Sequence, residues 1–297
     1  MVLPGPGLLF CDPRFHDLNG VPAGDRWRYE HPSVGVLEGV VTDGVLLSGH
    51  QAPFGGPQLA SADPTVDDVV DLVQGAVAAA RADGLRAVRI RARPTAYWAV
   101  GPLLEYVLVT TGFVGEHCDL NMHLDLTPGG PTLELLRPRK RRYVRAALQG
   151  DWALVDVEGG AALDTLHAIV AGNRADHGRP PPLSRDYLAG VRRVFGDRAT
   201  LSLLQVDGAA VAAAVVYRVT EDVQQVVHWA DHGHDLVRSP MDLLAHLVTE
   251  RARQDGVRLL DLGPASAKDG SPDPGLVAFK RSVGAVPGTR WTFRADL

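Results

Sequence analysis

Six cations crowd into nine residues of this 297-residue chain: Arg137, Arg139, Lys140, Arg141, Arg142 and Arg145. Such a density can track the phosphates of a nucleic acid, and it can equally be the solvated face of a helix between two domains. Tyr143 is the one aromatic inside the run, too few for a base-stacking platform. A second concentration, His228-Trp229-Ala230-Asp231-His232-Gly233-His234, offers proton-transfer chemistry. It lacks the cysteine or second carboxylate of a metal set, so no metal is expected. His228 or Asp231 could take the proton of an attacking amine, or the two could form a structural hydrogen-bonded pair. Asn173, Arg174 and His177 precede the proline run 180–182 and suit contact with a substrate carboxylate or phosphate, or plain solvation. Lysine is scarce. Lys140, Lys268 and Lys280 stand against 27 arginines, which makes Lys280 beside Phe279 conspicuous; the alternative for that pair is a core ring and a surface cation. No Ser-His-Asp order, P-loop or dinucleotide glycine pattern is present.

The elements that must hold these residues come in two copies. Arg81-Ala-Asp83-Gly84-Leu85-Arg86 recurs 172 positions later as Arg253-Gln-Asp255-Gly256-Val257-Arg258, and Gly112 recurs as Gly284 at the same offset. Each copy closes one helical stretch, opens an apolar run, and passes through a second helix that ends in glycine. The copies differ where chemistry would sit: Val107-Leu108 in the first, Phe279-Lys280 in the second.

Around the repeat, Thr42-Asp43-Gly44 and Asp207-Gly208 mark hairpins. Asp63-Pro64-Thr65 opens a helix to about Ala82, with Val66, Val69, Val70, Val73 and Val77 at helical spacing. A strand over 85–90, a helix over 103–110 and a strand over 118–126 complete the first half. The second half predicts a strand over 152–157, a helix over 161–175, a helix from Ser184, strands over 200–206, 209–218 and 223–230, and a helix from Ser239 with Pro240 at its first position. A strand over 257–262, a helix over 274–283 and a strand over 289–295 follow. Residues 1–30 predict no clear element. Pro128-Gly-Gly-Pro131 marks a junction, so two domains are expected, 1–130 and 131–297, the second opening with a basic linker helix over 131–148.

A net charge of −5 means that any nucleic-acid contact must come from a local patch. No apolar run approaches the roughly 20 residues that span a bilayer, and the start lacks the basic region of a secretory signal. Cys11 and Cys118 make no disulfide framework. A cytoplasmic monomer without membrane contact is the expectation.

The order strand, two helices, three antiparallel strands, helix, strand, helix, strand resembles the GNAT acyltransferase fold. The tandem copy resembles its FemAB-like branch over nearly the whole chain, through Pro53-Phe54-Gly55-Gly56, Leu260-Asp261-Leu262-Gly263 and Phe279-Lys280-x-x-x-Gly284. The resemblance implies an α/β fold with a mixed sheet and two tandem GNAT-like domains, the first degenerate. It implies an amide-forming transferase that draws an amino acid from aminoacyl-tRNA as co-substrate and needs no other cofactor. Lys280 would neutralise the tetrahedral oxyanion, with Phe279 nearby, and His228 or Asp231 would serve as base. Arg139, Lys140, Arg141, Arg142 and Arg145 would meet tRNA. Phe54, Gly55, Tyr97, Arg174, Arg238 and Asp261 would line the substrate, with a packed aromatic as the other reading of Tyr97. Charged tRNA and a small amine acceptor, of the kind met in specialised metabolism, are the partners so implied. An ordinary GNAT domain holds acyl-CoA on an [Arg/Gln]-x-x-Gly-x-[Gly/Ala] loop. Here Asp235-Leu-Val-Arg238-Ser-Pro-Met241-Asp242 keeps Arg238, puts Met241 at the glycine place and adds an acid. Acyl-CoA-dependent N-acylation is therefore the second expectation, and a non-catalytic tandem module the third.

Overall fold

In the computed structural model, which describes residues 7–127, 129–179, 183–232, 239–267 and 269–297, the repeat is visible at the level of single hydrogen bonds. Leu85 N–H donates to Ala80 O and Val257 N–H to Ala252 O, both at 3.0 Å; Phe113 N–H donates to Leu108 O and Ala285 N–H to Lys280 O, at 2.9 and 3.0 Å. These are helix stops of one kind, and they need a left-handed residue. Gly112 and Gly284 supply it with φ of +98° and +99°.

In chain order the elements of the first half are α1 (Pro13–Leu18), β1 (Arg26–His31), β2 (Gly35–Thr42), β3 (Val45–Ser48), β4 (Gln58–Leu59), α2 (Val66–Ala82), β5 (Ala87–Arg91), α3 (Gly101–Thr110) and β6 (Val114–Asp125). There follow α4 (Pro138–Ala147), β7 (Trp152–Asp156), α5 (Gly160–Asp176), α6 (Arg185–Phe195), β8 (Ala199–Val206), β9 (Ala209–Arg218), β10 (Val223–Asp231), α7 (Pro240–Gln254), β11 (Leu259–Pro264), α8 (Pro274–Ser282) and β12 (Val286–Asp296). Local chemistry explains the starts. Thr65 and Asp68 form a reciprocal capping box at α2, and Ser184 caps α6 through the Tyr187 N–H. Ser239 sits at the N-cap of α7 without a side-chain cap bond. The expected basic helix over 131–148 is shorter: residues 132–135 form a separate 3-10 turn, and α4 begins at Pro138, whose ring suits the first helical position.

Two compact units result, residues 1–121, 266–272 and 287–297 in one, and 122–265 and 273–286 in the other. The first has strand order β1-β2-β3-β5-β12-β6, the second β6-β11-β10-β9-β8-β7, with β6 divided between them. The repeat assigns the place beside β5 to β6, yet β12 fills it, with Thr292 opposite Arg91 and Asp296 opposite Ala87. The place beside β11, assigned to β12, is filled by β6. Each copy thus gives its last strand to the other. The division expected at 130 differs from these units at the exchanged ends, because strand pairing rather than chain order decides which residues share a core.

In the first unit α2 buries Val69, Val73, Ala76 and Ala80 against Leu37, Leu46, Val88, Ile90 and Phe293. In both units the central element is a parallel strand–helix–strand, β3-α2-β5 and β10-α7-β11. Ligand sites in such sheets lie at the carboxyl ends of the strands, and here the copies part. The β10–β11 ladder runs from Val223↔Leu259 only to Gln225↔Asp261, while β10 continues to Asp231. The β3–β5 ladder reaches Ser48↔Ile90, and Gly55 then pairs with Ala92, its N–H donating to Arg91 O at 2.8 Å. The two strand ends are stitched together in the first copy; in the second, among the described residues, they part from each other, while β10 stays paired with β9 as far as Asp231.

Candidate active site at the unpaired strand ends of the second unit

Asp261, the last residue of the short ladder, is fully buried. Its carboxylate accepts from Gln225 Nε2 at 3.0 Å and from the Gly263 N–H at 2.8 Å. A buried carboxylate demands such partners. The second bond tightens the end of β11 into a turn that Gly263 makes with φ of +73°. The turn aims two carbonyls at Lys280: Nζ donates to Gly263 O at 2.9 Å and to Pro264 O at 2.8 Å. Lys280 is only 3% exposed. Its helix is anchored at both ends, by the Asp273 cap on the Leu276 N–H and by the Gly284 stop packed on Leu135. Lys280, where the first copy has Leu108, is therefore a fixed, desolvated cation.

Phe279 meets Trp229 of β10 edge to face, with centroids 5.6 Å apart. Lys140 Nζ lies 5.7 Å from the same ring and makes a 2.6 Å ion pair with Asp242, which is 3% exposed. A buried carboxylate in the first turn of α7 uses the positive end of that helix for itself. A β-bulge between Val226 and His228 re-aims the β10 side chains. His228 Nε2 is buried with no hydrogen-bond partner among the described residues. Burial first, then Arg174 and His167 of α5, push its pKa down to about 4, so the ring is neutral near pH 7. Burial also lowers Arg174, with Arg179 adding to it. Asn173 Nδ2 reaches the Asp231 carbonyl at 3.4 Å.

The depressed imidazole has a pH consequence. Between the ordinary value of 6.5 and about 4 the unfolded chain binds more protons at this site than the folded one. Stability therefore falls as pH drops through that window. His16, His123 and His246 are lowered by burial as well and add to the trend. Thermal melts from pH 7 to 4.5 should decline steeply for the natural chain and less steeply for His228→Gln; parallel curves would place the imidazole in water.

The family profile described as the acetyltransferase (GNAT) domain matches residues 136–281. No curated protein matches the sequence. Among solved structures, FemX superposes with a TM-score of 0.73 at 13% identity, over 99% of this chain and 93% of that one. This chain shares its fold with FemX and with tandem GNAT proteins. The C-terminal domain of a putative lysylphosphatidylglycerol synthetase from Agrobacterium fabrum gives 0.58 at 18% identity, over 95% and 90% of the two chains. A tandem GNAT protein from the clavulanic acid biosynthesis pathway gives 0.53 at 15%, over 99% and 90%. The chain carries an acyltransferase domain of this class.

Within this tandem GNAT fold the residues singled out by sequence fall into three groups. Lys280, Phe279, His228, Arg174 and Asp231 belong to one unit and to the elements around the parted strand ends. Asp261 belongs there too, but it is wholly internal; it shapes the turn under Lys280 and has no surface for a ligand. Phe54 and Tyr97 are buried in the first unit, stacked edge to face at 5.0 Å with Phe10 on the other side of Phe54. Gly55 is the strand stitch, where a Cβ would lie 2.5 Å from Gly49 N. All three are buried among other protein atoms. Arg238 lies outside the described residues. On α4, Lys140 is taken by Asp242, and Arg141 is bound by the Glu134 carboxylate and the Glu134 and Leu136 carbonyls. Arg139 and Arg142 remain exposed on either side of the Tyr143 ring, and exposed Arg145 holds a 3.4 Å contact to Glu134. Sequence reasoning missed Trp229, Gln225 and His167, which no spacing links to their partners. Among the described residues no cluster of His, Cys, Asp and Glu could hold a metal, and no helix is long and apolar enough to cross a membrane.

Proposed function

We propose that this protein forms an amide by moving an amino acid from charged tRNA onto a small amine acceptor. The observation that carries the reading is the buried ammonium of Lys280, held by two carbonyls at the end of β11 where pairing with β10 has stopped. The donor is an activated ester, so the enzyme has to align the amine and stabilise one negative oxygen. The amine nitrogen bonds to the ester carbonyl carbon, and the carbonyl oxygen becomes an oxyanion facing Lys280. Collapse breaks the bond to the ribose oxygen, which takes up the proton given up by the amine and leaves as the tRNA hydroxyl. Neutral His228, with its unengaged Nε2, accepts the hydrogen bond of the attacking amine. FemX and the synthetase share the fold at low identity, which favours aminoacyl chemistry without naming a substrate.

Exposed Arg139, Arg142 and Arg145 are the cations we assign to tRNA phosphates. Arg139→Glu with Arg142→Glu should weaken binding of charged tRNA and reduce the slope of log affinity against log salt by about two. Transfer of radiolabel from a pool of charged tRNAs to amine acceptors tests the reaction itself; no transfer with any pool would end the proposal. The second reading, acyl-CoA-dependent N-acylation, is favoured by the GNAT profile and opposed by Asp242 in the first turn of α7. Retention on immobilised CoA and turnover with acyl-CoA would select it. Turnover with neither donor would leave a binding module.

A further inference from the structure

The first unit has a cavity of its own, lined by β5, β6 and β12 and reaching the carboxyl end of β5, the strand equivalent to β11. Strand alternation sends Val88 and Ile90 into the core beneath α2 and α3 and turns Arg89 and Arg91 to the opposite face. There Arg89, Arg91 and Arg290 line a space of about 490 Å3 together with Glu116, His117 and Asp119. A smaller hollow bordered by Ser48, His50 and Gln51 shares Arg89 and Arg91 with it. The main volume lies within the roughly 300–1,000 Å3 of small-molecule sites.

The charges in this cavity do not balance. Glu116 pairs with Arg89. Asp119 is saturated by Arg290 Nη2 at 2.6 Å, Ser266 Oγ at 2.8 Å and His117 Nε2 at 3.2 Å. Arg91 has no ion pair among the described residues; its Nη1 donates to the Ala52 carbonyl at 2.8 Å. Burial lowers its pKa, and Arg290 and Arg89 push the same way before the acids push back. Three guanidinium groups thus crowd one half-buried space with two carboxylates, both already engaged. Removing the unpaired charge or supplying an anion would relieve the repulsion, and a guanidinium fork matches the oxygens of a phosphate in two parallel hydrogen bonds.

We infer that this cavity binds a small phosphate-bearing molecule, with Arg91 as the cation that meets the phosphate. The site belongs to the first unit alone and does not depend on the transfer reaction proposed for the second. Calorimetric titration of the full chain, without tRNA, tests it with inorganic pyrophosphate, inorganic phosphate and succinate. Saturable binding of pyrophosphate, weaker binding of phosphate and weakest binding of succinate are expected. Arg91→Gln should weaken pyrophosphate at least about tenfold. Gln51→Glu, an exposed change that brings a competing carboxylate to the same rim, should weaken it several-fold, and Arg142→Glu on α4 should leave it unchanged. No saturable binding at millimolar pyrophosphate would overturn the inference. So would equal binding of succinate, or a loss in Arg142→Glu with none in Arg91→Gln and Gln51→Glu.

Discussion

Lys280→Met is expected to lower turnover with charged tRNA by about 100-fold or more, the scale on which one preorganised oxyanion donor acts. Methionine keeps the length and bulk of the side chain and removes the charge. The effect should fall on kcat, with KM for the charged tRNA little changed, because the cation opposes a charge that exists only in the transition state. A structural cost accompanies it: the Gly263 and Pro264 carbonyls lose their donor, and a buried unpaired acceptor costs about 1–3 kcal/mol. Lys280→Arg separates the two effects, since a guanidinium restores a donor and a charge but not the position of a compact ammonium. It should recover much of the melting temperature and little of the rate. A methionine variant within about threefold of the natural turnover, under 1 kcal/mol of barrier, would remove Lys280 from the chemistry.

Gly284→Ala should destabilise the fold by about 3 kcal/mol or more, whereas Gly112→Ala at the matching position of the first copy should cost about 1–2 kcal/mol. Both glycines carry the same left-handed φ, so both alanines meet the same backbone penalty. Their surroundings differ. Nothing lies within 4 Å of a Cβ built on Gly112, but one built on Gly284 falls 2.6 Å from the Leu135 carbonyl oxygen and 2.9 Å from its Cβ. The added clash belongs with overpacking, about 1–3 kcal/mol. Gly284 also closes the helix that carries Lys280, so its alanine variant should lose activity ahead of global unfolding. Urea denaturation of the two variants side by side measures the difference. Equal midpoints would mean that the turn before α4 yields freely.

Much of the architecture was legible in the chain because its punctuation is local. The Asp43-Gly44 and Asp207-Gly208 turns, the Thr65 start and the repeated glycine stops each act through bonds a few residues apart, and the elements fell within a few residues of expectation. Other features were not, the exchange of last strands among them. β1, Arg-Trp-Arg-Tyr-Glu-His, alternates Trp27 and Tyr29 on the core with exposed Arg28 and Glu30, but two rings among four polar residues are too short a signal to read as a strand. The split of the basic segment hinges on Pro138, which ends one element and begins the next. At the site, Lys280 stood out by comparing the copies. The partners that decide the geometry lie far away in sequence: Asp242 is 102 positions from Lys140, and that one ion pair holds a cation of the set expected to meet tRNA. Asp261 looked like a site residue because it belongs to the motif, yet the motif uses it from beneath.

The exchange of last strands between the copies sets an order of events on the ribosome. The sheet of the first unit needs β12, which follows every other strand of both units along the chain. With synthesis at about 5–20 residues per second, the β5 edge has to wait through the making of the entire second copy before its neighbour arrives. The amino-terminal half is thus the later of the two to reach its native pairing, although it is translated first.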